Sequence, residues 1–248
     1  MNAHAMTAYG LWPLVVLNAG LFILFAASFF KPRTAQDWRT LGGFSAFVVA
    51  LFAEMYGFPL TIYLLSGWLG SRLQGADLLS HDGGHLWFSL LGLRGDPHTH
   101  PVHIVSSALI FSGFVLLASA WRALHAAQQR GVLAVTGPYG FVRHPQYVAF
   151  VVIMLGFLLQ WPTLATLVMF PVLAWSYVRL ARKEERRMAE EFGCAWECYT
   201  HGRPAFVPRL ARVRGALAGR TRAAHARARR EGPTAGVDTP ATQGRTTS

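Results

Sequence analysis

The sequence predicts an all-α integral membrane protein with about five transmembrane helices, the last two forming a tight hairpin that continues into a cytosolic helical extension. Three observations lead there. Of 248 residues, 52% are hydrophobic and 14% charged, with a mean hydropathy of +0.30, whereas soluble domains carry roughly 25% charged residues. The apolar residues fall into long uncharged runs. Between two such runs lies Gly137-Pro138-Tyr139-Gly140-Phe141-Val142-Arg143-His144-Pro145-Gln146-Tyr147, more polar and aromatic equipment than a membrane boundary needs for folding.

The first run, Leu11 to Phe30, has twenty residues and no charge, which matches the hydrocarbon core at 1.5 Å per residue. It lacks the basic start and small-residue cleavage site of a signal peptide and reads as a retained span. The second, Leu41 to Leu69, is 29 residues long and holds Glu54, Gly57 and Pro59. Its length predicts a tilted or kinked helix, or two half-spans. Val102 to Trp121 forms a third span. Val148 to Gln160 and Leu164 to Leu180 follow, divided only by Trp161-Pro162-Thr163, a break short enough for a helical hairpin. An amphipathic helix over 182–200 continues below it. Three regions result: 1–101, two spans and a His-rich external loop; 102–208, a membrane core; and 209–248, an Arg-rich tail expected to be unstructured.

Lys31, Arg33 and Arg39 crowd the first loop, while residues 70–101 hold only Arg72 and Arg94. Arg122, Arg130 and Arg143, then Arg179, Arg182, Lys183, Arg186 and Arg187, mark the other cytosolic ends. The positive-inside rule therefore puts the N-terminus outside and the Gly137–Tyr147 motif on the cytosolic face, in a bacterial inner membrane. The net charge of +11 does not signal nucleic-acid binding. Residues 209–248 alone account for +7, and a basic tail beside a bilayer is attracted to anionic headgroups.

An antiparallel hairpin brings Gly137–Tyr147 to the same end as Glu184-Glu185, which predicts one pocket holding Tyr139, Arg143, His144, Tyr147 and both carboxylates. Other polar residues read more plainly. Glu54 is costly in lipid and is expected to face other helices, with Tyr56 or Tyr63 as partner, a substrate pathway being the alternative. Cys194 and Cys198 share a helix face and read as ordinary apolar packing positions. His81, His85, His98, His100 and His103, with Asp82 and Asp96, have the chemistry of metal ligands, but their spacing matches no closed tetrahedral site. No metal is expected, and no Gly-x-Gly-x-x-Gly fingerprint occurs.

Thr136-Gly-Pro-Tyr139, Arg143-His-Pro-Gln-Tyr147, the hairpin, Glu184-Glu185, Phe192-Gly193, Tyr199 and Pro204-Ala-Phe206-Val-Pro208 together resemble the isoprenylcysteine carboxyl methyltransferase family, which is related to the phospholipid N-methyltransferases. The resemblance covers roughly residues 102–208. It implies a membrane enzyme that binds S-adenosylmethionine at the cytosolic ends of its last spans. It assigns the cofactor to Gln128, Gly131, Val132, Leu133, Ala134, Tyr139, His144, Pro145, Gln146, Tyr147, Glu184 and Glu185. Arg143 and His144 are the catalytic candidates. The family's substrate arginine, one turn before the glutamate, is replaced here by Leu180, which makes neighbouring Arg179 the candidate for that role.

The expected function is methyl transfer from S-adenosylmethionine to a lipophilic acceptor arriving from the membrane lipids, with carboxyl O-methylation ahead of amine N-methylation. The alternatives are a nicotinamide-dependent membrane reductase of similar architecture and a non-enzymatic protein handling metal through the histidine loop.

Overall fold

The computed structural model describes residues 9–30, 32, 34–72 and 100–208, and every regular element among them is helical. His81, His85, His98 and the 209–248 tail lie outside the described residues. The helices are α1 (Trp12–Phe29), α2 (Ala35–Phe52), α3 (Leu60–Arg72), α4 (Pro101–Gln129), α5 (Pro145–Gln160), α6 (Leu164–Phe192) and α7 (Cys194–Thr200). Four stretches are long and apolar enough to cross a membrane: α1, Ala35–Gly57, α4 and α6, with α5 shorter. This is the architecture of a multi-pass membrane protein.

The second helix starts earlier than its apolar run. Thr34 accepts the Asp37 N–H at 3.1 Å and Asp37 accepts the Thr34 N–H at 2.9 Å, a capping box that begins α2 inside the charged stretch. The predicted 29-residue span is two helices. A π-helical turn, Ala53–Gly57, ends α2, Phe58 is extended at φ −124°, ψ 117°, and Pro59 precedes α3. Proline disfavours helical backbone in the residue before it, which is why the chain breaks there. The amides of Gly10 and Leu11 bond the carbonyls of Gly57 and Tyr56 at 2.8 and 2.9 Å, satisfying groups the break would otherwise strand in lipid. Glu54 is buried, yet its partner is not a tyrosine: Oε2 accepts the Thr61 backbone N–H at 2.8 Å. Thr61 Oγ1 in turn accepts the Leu164 N–H at 2.7 Å, tying the break to the start of α6.

With 29 residues, α4 is about 44 Å long and overruns the bilayer core of about 30 Å. Its closest packing is against α5. A Cβ at Gly113 would lie 2.5 Å from Ile153 Cγ1, and one at Gly156 would lie 3.0 Å from both the Ile110 nitrogen and the Ser106 carbonyl. Small residues let helix backbones approach in membranes, where dispersion contacts replace the hydrophobic effect as the driving force. The hairpin turn follows, with Thr163 capping α6 through Thr166. At the far end of α6 the expected helix over 182–200 is interrupted: Gly193, at φ +47°, separates α7. Cys194 and Cys198 are consequently exposed, not packed.

An aromatic chain runs through the bundle toward the polar end. Phe44 meets Phe150 at 5.0 Å, Phe150 meets Tyr177 at 6.0 Å, and Tyr177 stacks on Tyr147 at 5.6 Å. Gly156→Val is expected to push α4 and α5 apart and cost about 1–3 kcal/mol, read as a lowered thermal midpoint in detergent. An unchanged midpoint would show that the close approach does not carry stability.

Candidate functional site: a cleft around His144 and two carboxylates

The loop after α4 is shaped by its backbone. Gly131 takes φ +64°, the Val132 N–H bonds the Ala127 carbonyl at 3.1 Å, and the Gly131 N–H bonds the Gln128 carbonyl at 3.2 Å. This is a Schellman ending, which calls for glycine in the left-handed position. A second left-handed glycine, Gly137 at φ +58°, leads into the short 3-10 turn Gly137–Gly140. Pro145 then occupies the first turn of α5, where its missing N–H costs no helical bond.

The segment after α7 closes over this turn. The amides of Arg143 and His144 donate to the carbonyls of Pro204 and Ala205 at 3.0 and 3.1 Å. The Tyr199 hydroxyl donates to the Tyr139 carbonyl at 2.9 Å, Arg203 lies 4.6 Å over the Tyr199 ring, and the Phe206 ring packs 5.6 Å from the imidazole of His144.

The predicted convergence is present. His144 Nε2 lies 2.9 Å from Glu185 Oε1 and Nδ1 lies 3.5 Å from Glu184 Oε2. Arg143 reaches Glu185 Oε1 at 3.1 Å. Glu184 Oε1 accepts from the Tyr147 hydroxyl at 2.6 Å and from Gln36 Nε2 at 2.9 Å. Burial pushes the His144 pKa down, but bonds to Glu184 and Glu185 and their charge outweigh it, so the net displacement is upward from 6.5. A carboxylate beside each ring nitrogen favours the imidazolium form. Burial, with the nearby Glu184 charge, raises the Tyr139 phenol. Burial, opposed by Arg203 and Arg143, brings Tyr199 to about 12. Both phenols therefore remain hydroxyl donors at neutral pH.

Beside this cluster is a cleft of about 360 Å³. Of the residues singled out in the sequence, Gln128, Gly131, Val132, Leu133, Ala134, Tyr139, Arg143, His144, Gln146 and Glu184 line it. Pro145, Tyr147 and Glu185 stand behind that wall as support. Arg179 is elsewhere: its guanidinium lies 4.7 Å over the ring of Trp175, on an exposed part of α6, because one residue along a helix turns the side chain by about 100°. Sequence reasoning missed Thr34, Gln36 and Asp37 on α2, Arg187, Met188 and Glu191 on α6, and Trp196 and Tyr199 beyond Gly193, all of which line the cleft. The capping-box pattern Thr34-x-x-Asp37 was the available signal for Thr34 and Asp37.

Among the described residues, three buried polar atoms of the cleft lining have no hydrogen-bond partner: Gln36 Oε1, Arg143 Nε and Gln146 Oε1. An unsatisfied buried group costs about 1–3 kcal/mol, so their clustering marks a wall built for a polar ligand. Among the described residues no group of three or more His, Cys, Asp and Glu side chains is arranged to hold a metal ion.

The raised His144 pKa fixes a pH dependence. Its contribution to stability is fully present below pH 6.5 and is lost as the pH rises through the raised folded-state value. Thermal midpoints measured between about pH 6 and pH 9 should fall, and Glu185→Gln, by removing one carboxylate from the ring, should lower the pH at which the fall is complete and so make the fall smaller. A midpoint curve identical in the two proteins would contradict the ion cluster.

Comparison with known proteins gives partial matches. Over 97 residues the chain is 36% identical to the cobalt-zinc-cadmium resistance protein CzcN of Cupriavidus metallidurans, a match covering 38% of this chain and 44% of that protein. The chain thus spans less than half the length of that relative. No solved structure gives a significant match. Residues 100–190, the segment that carries Arg143, His144, Glu184 and Glu185, match the isoprenylcysteine carboxyl methyltransferase family.

Proposed function

We propose that the protein is an integral-membrane methyltransferase that uses S-adenosylmethionine to methylate a lipophilic acceptor. The observation that carries this reading is the cleft itself. It lies at one end of apolar helices, its wall is drawn mostly from the family-matched segment, and that wall combines buried polar atoms with His144, Arg143 and the Glu184 carboxylate.

The donor set suits the cofactor. Arg143 Nε, buried and unpaired, can meet a carboxylate as a charge-assisted donor. Gln146 Oε1 and the Tyr139 hydroxyl can bond ribose, amino or adenine edges. Trp196 and Tyr199 line the cleft, and an aromatic side chain there can attract a sulfonium by cation–π contact, about 0.5–2 kcal/mol depending on desolvation. When bound, the cofactor supplies an electrophilic methyl group for in-line displacement. The chain's own residues align the two reactants and keep water out.

His144 lies between Glu184 and Glu185, whose bonds and charge raise its pKa, which favours the protonated form over one ready to take a proton. Its part is electrostatic and positional. Glu184 is likewise occupied by Tyr147, Gln36 and His144. This suits a nucleophile that needs no base, which keeps carboxyl O-methylation ahead of amine N-methylation. A second cavity of about 580 Å³, bounded by Phe22, Phe25, Phe114 and Phe157 among others, offers a hydrocarbon chain a place within the helices and supports a lipophilic acceptor. The basic residues near the helix ends favour a bacterial inner membrane with the cleft on the cytosolic side. CzcN is by its name a metal-resistance protein; a metal-handling reading of this chain would rest on His81, His85 and His98, outside the described residues.

Purified protein in detergent is expected to bind S-adenosylmethionine with micromolar-range affinity by calorimetry. His144→Ala and Glu184→Gln should each weaken binding about tenfold or more. Absence of cofactor binding by the intact protein, or displacement by a nicotinamide dinucleotide in competition, would overturn the proposal in favour of none or of a reductase.

A further inference from the structure

Gln36 lies outside the family-matched residues, on the first turn of α2, and is 6% exposed. The orientation of its amide is fixed by its neighbours. Nε2 lies 3.1 Å from the Leu180 carbonyl oxygen and 2.9 Å from Glu184 Oε1. A carbonyl and a carboxylate can only accept, so the NH2 group must face them and the oxygen must face the other way. The Tyr147 hydroxyl, 3.4 Å from the same nitrogen, is already donating to Glu184 at 2.6 Å and can receive there as well.

Among the described residues that assignment leaves Oε1 buried and without a hydrogen-bond partner, on a side chain that lines the cleft. Native proteins satisfy most buried acceptors. The bonds of this one group are thus divided: the nitrogen serves the scaffold and the oxygen is left over. We propose that Gln36 is a ligand-binding residue, its Oε1 accepting a hydrogen bond from an N–H or O–H of the molecule that occupies the cleft. The proposal rests on the methyltransferase reading for the identity of that molecule. The donor can belong to the cofactor, through a ribose hydroxyl or amino group, or to the polar end of the acceptor. In either case α2, with Thr34 and Asp37 beside Gln36 on the same wall, is part of the site and not only a membrane anchor.

The two halves of the amide can be tested separately. In Gln36→Lys the ammonium keeps donors for Leu180 and Glu184 but offers no acceptor. Gln36→Glu keeps an acceptor and loses the donors. Three quantities are measured in detergent: the thermal midpoint, the calorimetric Kd of S-adenosylmethionine, and the apparent KM for methyl transfer from radiolabelled cofactor into a bacterial total lipid extract. Gln36→Lys is expected to stay folded and to lose about tenfold in one of the last two. A higher Kd assigns the donor to the cofactor; a higher KM at unchanged Kd assigns it to the acceptor. A folded lysine variant with both values unchanged overturns the proposal, since cofactor and acceptor would then bind without the Oε1 acceptor. Should that variant not fold, Gln36→Glu and Gln36→Leu, both without the donors, are compared below their midpoints: the glutamate, which keeps an acceptor, is expected to have a Kd or KM about tenfold lower than the leucine, and equal values in both would overturn the proposal. Wild-type protein that binds no S-adenosylmethionine and labels no lipid defeats the functional reading itself, and this inference with it.

Discussion

Glu184 is the point on which the polar end of the molecule depends. Helices in lipid gain little from burying apolar surface against one another, because the tails are as apolar as leucine. Their rotation and height must be set by something directional. Glu184 supplies it, receiving Tyr147 from α5 at 2.6 Å, Gln36 from α2 at 2.9 Å, and the His144 ring at 3.5 Å. Three segments far apart in sequence are thereby held in one arrangement, and the cleft is the space that arrangement leaves.

The same cluster is electrically balanced. Arg143 and the His144 imidazolium face two carboxylates, all partly or largely buried. A buried charge without its partner is costly, so the four groups are interdependent. Losing any one leaves a neighbour exposed to that cost. Binding residues and structural residues are consequently hard to separate here: His144 holds the turn, and the turn holds His144 through the Ala205 carbonyl.

Much of this was legible in the sequence, for identifiable reasons. Uncharged runs of membrane length mark spans through hydropathy alone, and an antiparallel hairpin fixes which of its ends meet, so the approach of Arg143-His144 to Glu184-Glu185 could be read without coordinates. The break at Pro59 was legible as an alternative, because a proline announces a lost N–H without saying whether the helix bends or stops. Gln36 was not legible. Its partners are 111 and 148 residues away, and nothing local distinguishes it from a surface glutamine near charged residues. Arg179 failed for the opposite reason: nearness in sequence suggested nearness in space, but on a helix adjacent residues point apart. The split at Gly193 turned on a single left-handed backbone angle, which placed Trp196 and Tyr199 on the cleft and left both cysteines in the open.

The amide bonds from Arg143 and His144 to the Pro204 and Ala205 carbonyls impose an order of assembly. Domains acquire structure as the chain emerges from the ribosome, N-terminal parts first, and α1 through α6, Glu184 included, are complete before residue 200 has been made. The turn at 143–144 does not. Its amides wait for a strand of backbone some sixty residues downstream, and loop closure over that distance comes before any local contact can compensate for it. The helical bundle is therefore built first and the binding cleft last, so a chain cut short near Tyr199 would insert into the membrane as a scaffold whose working end has never been closed.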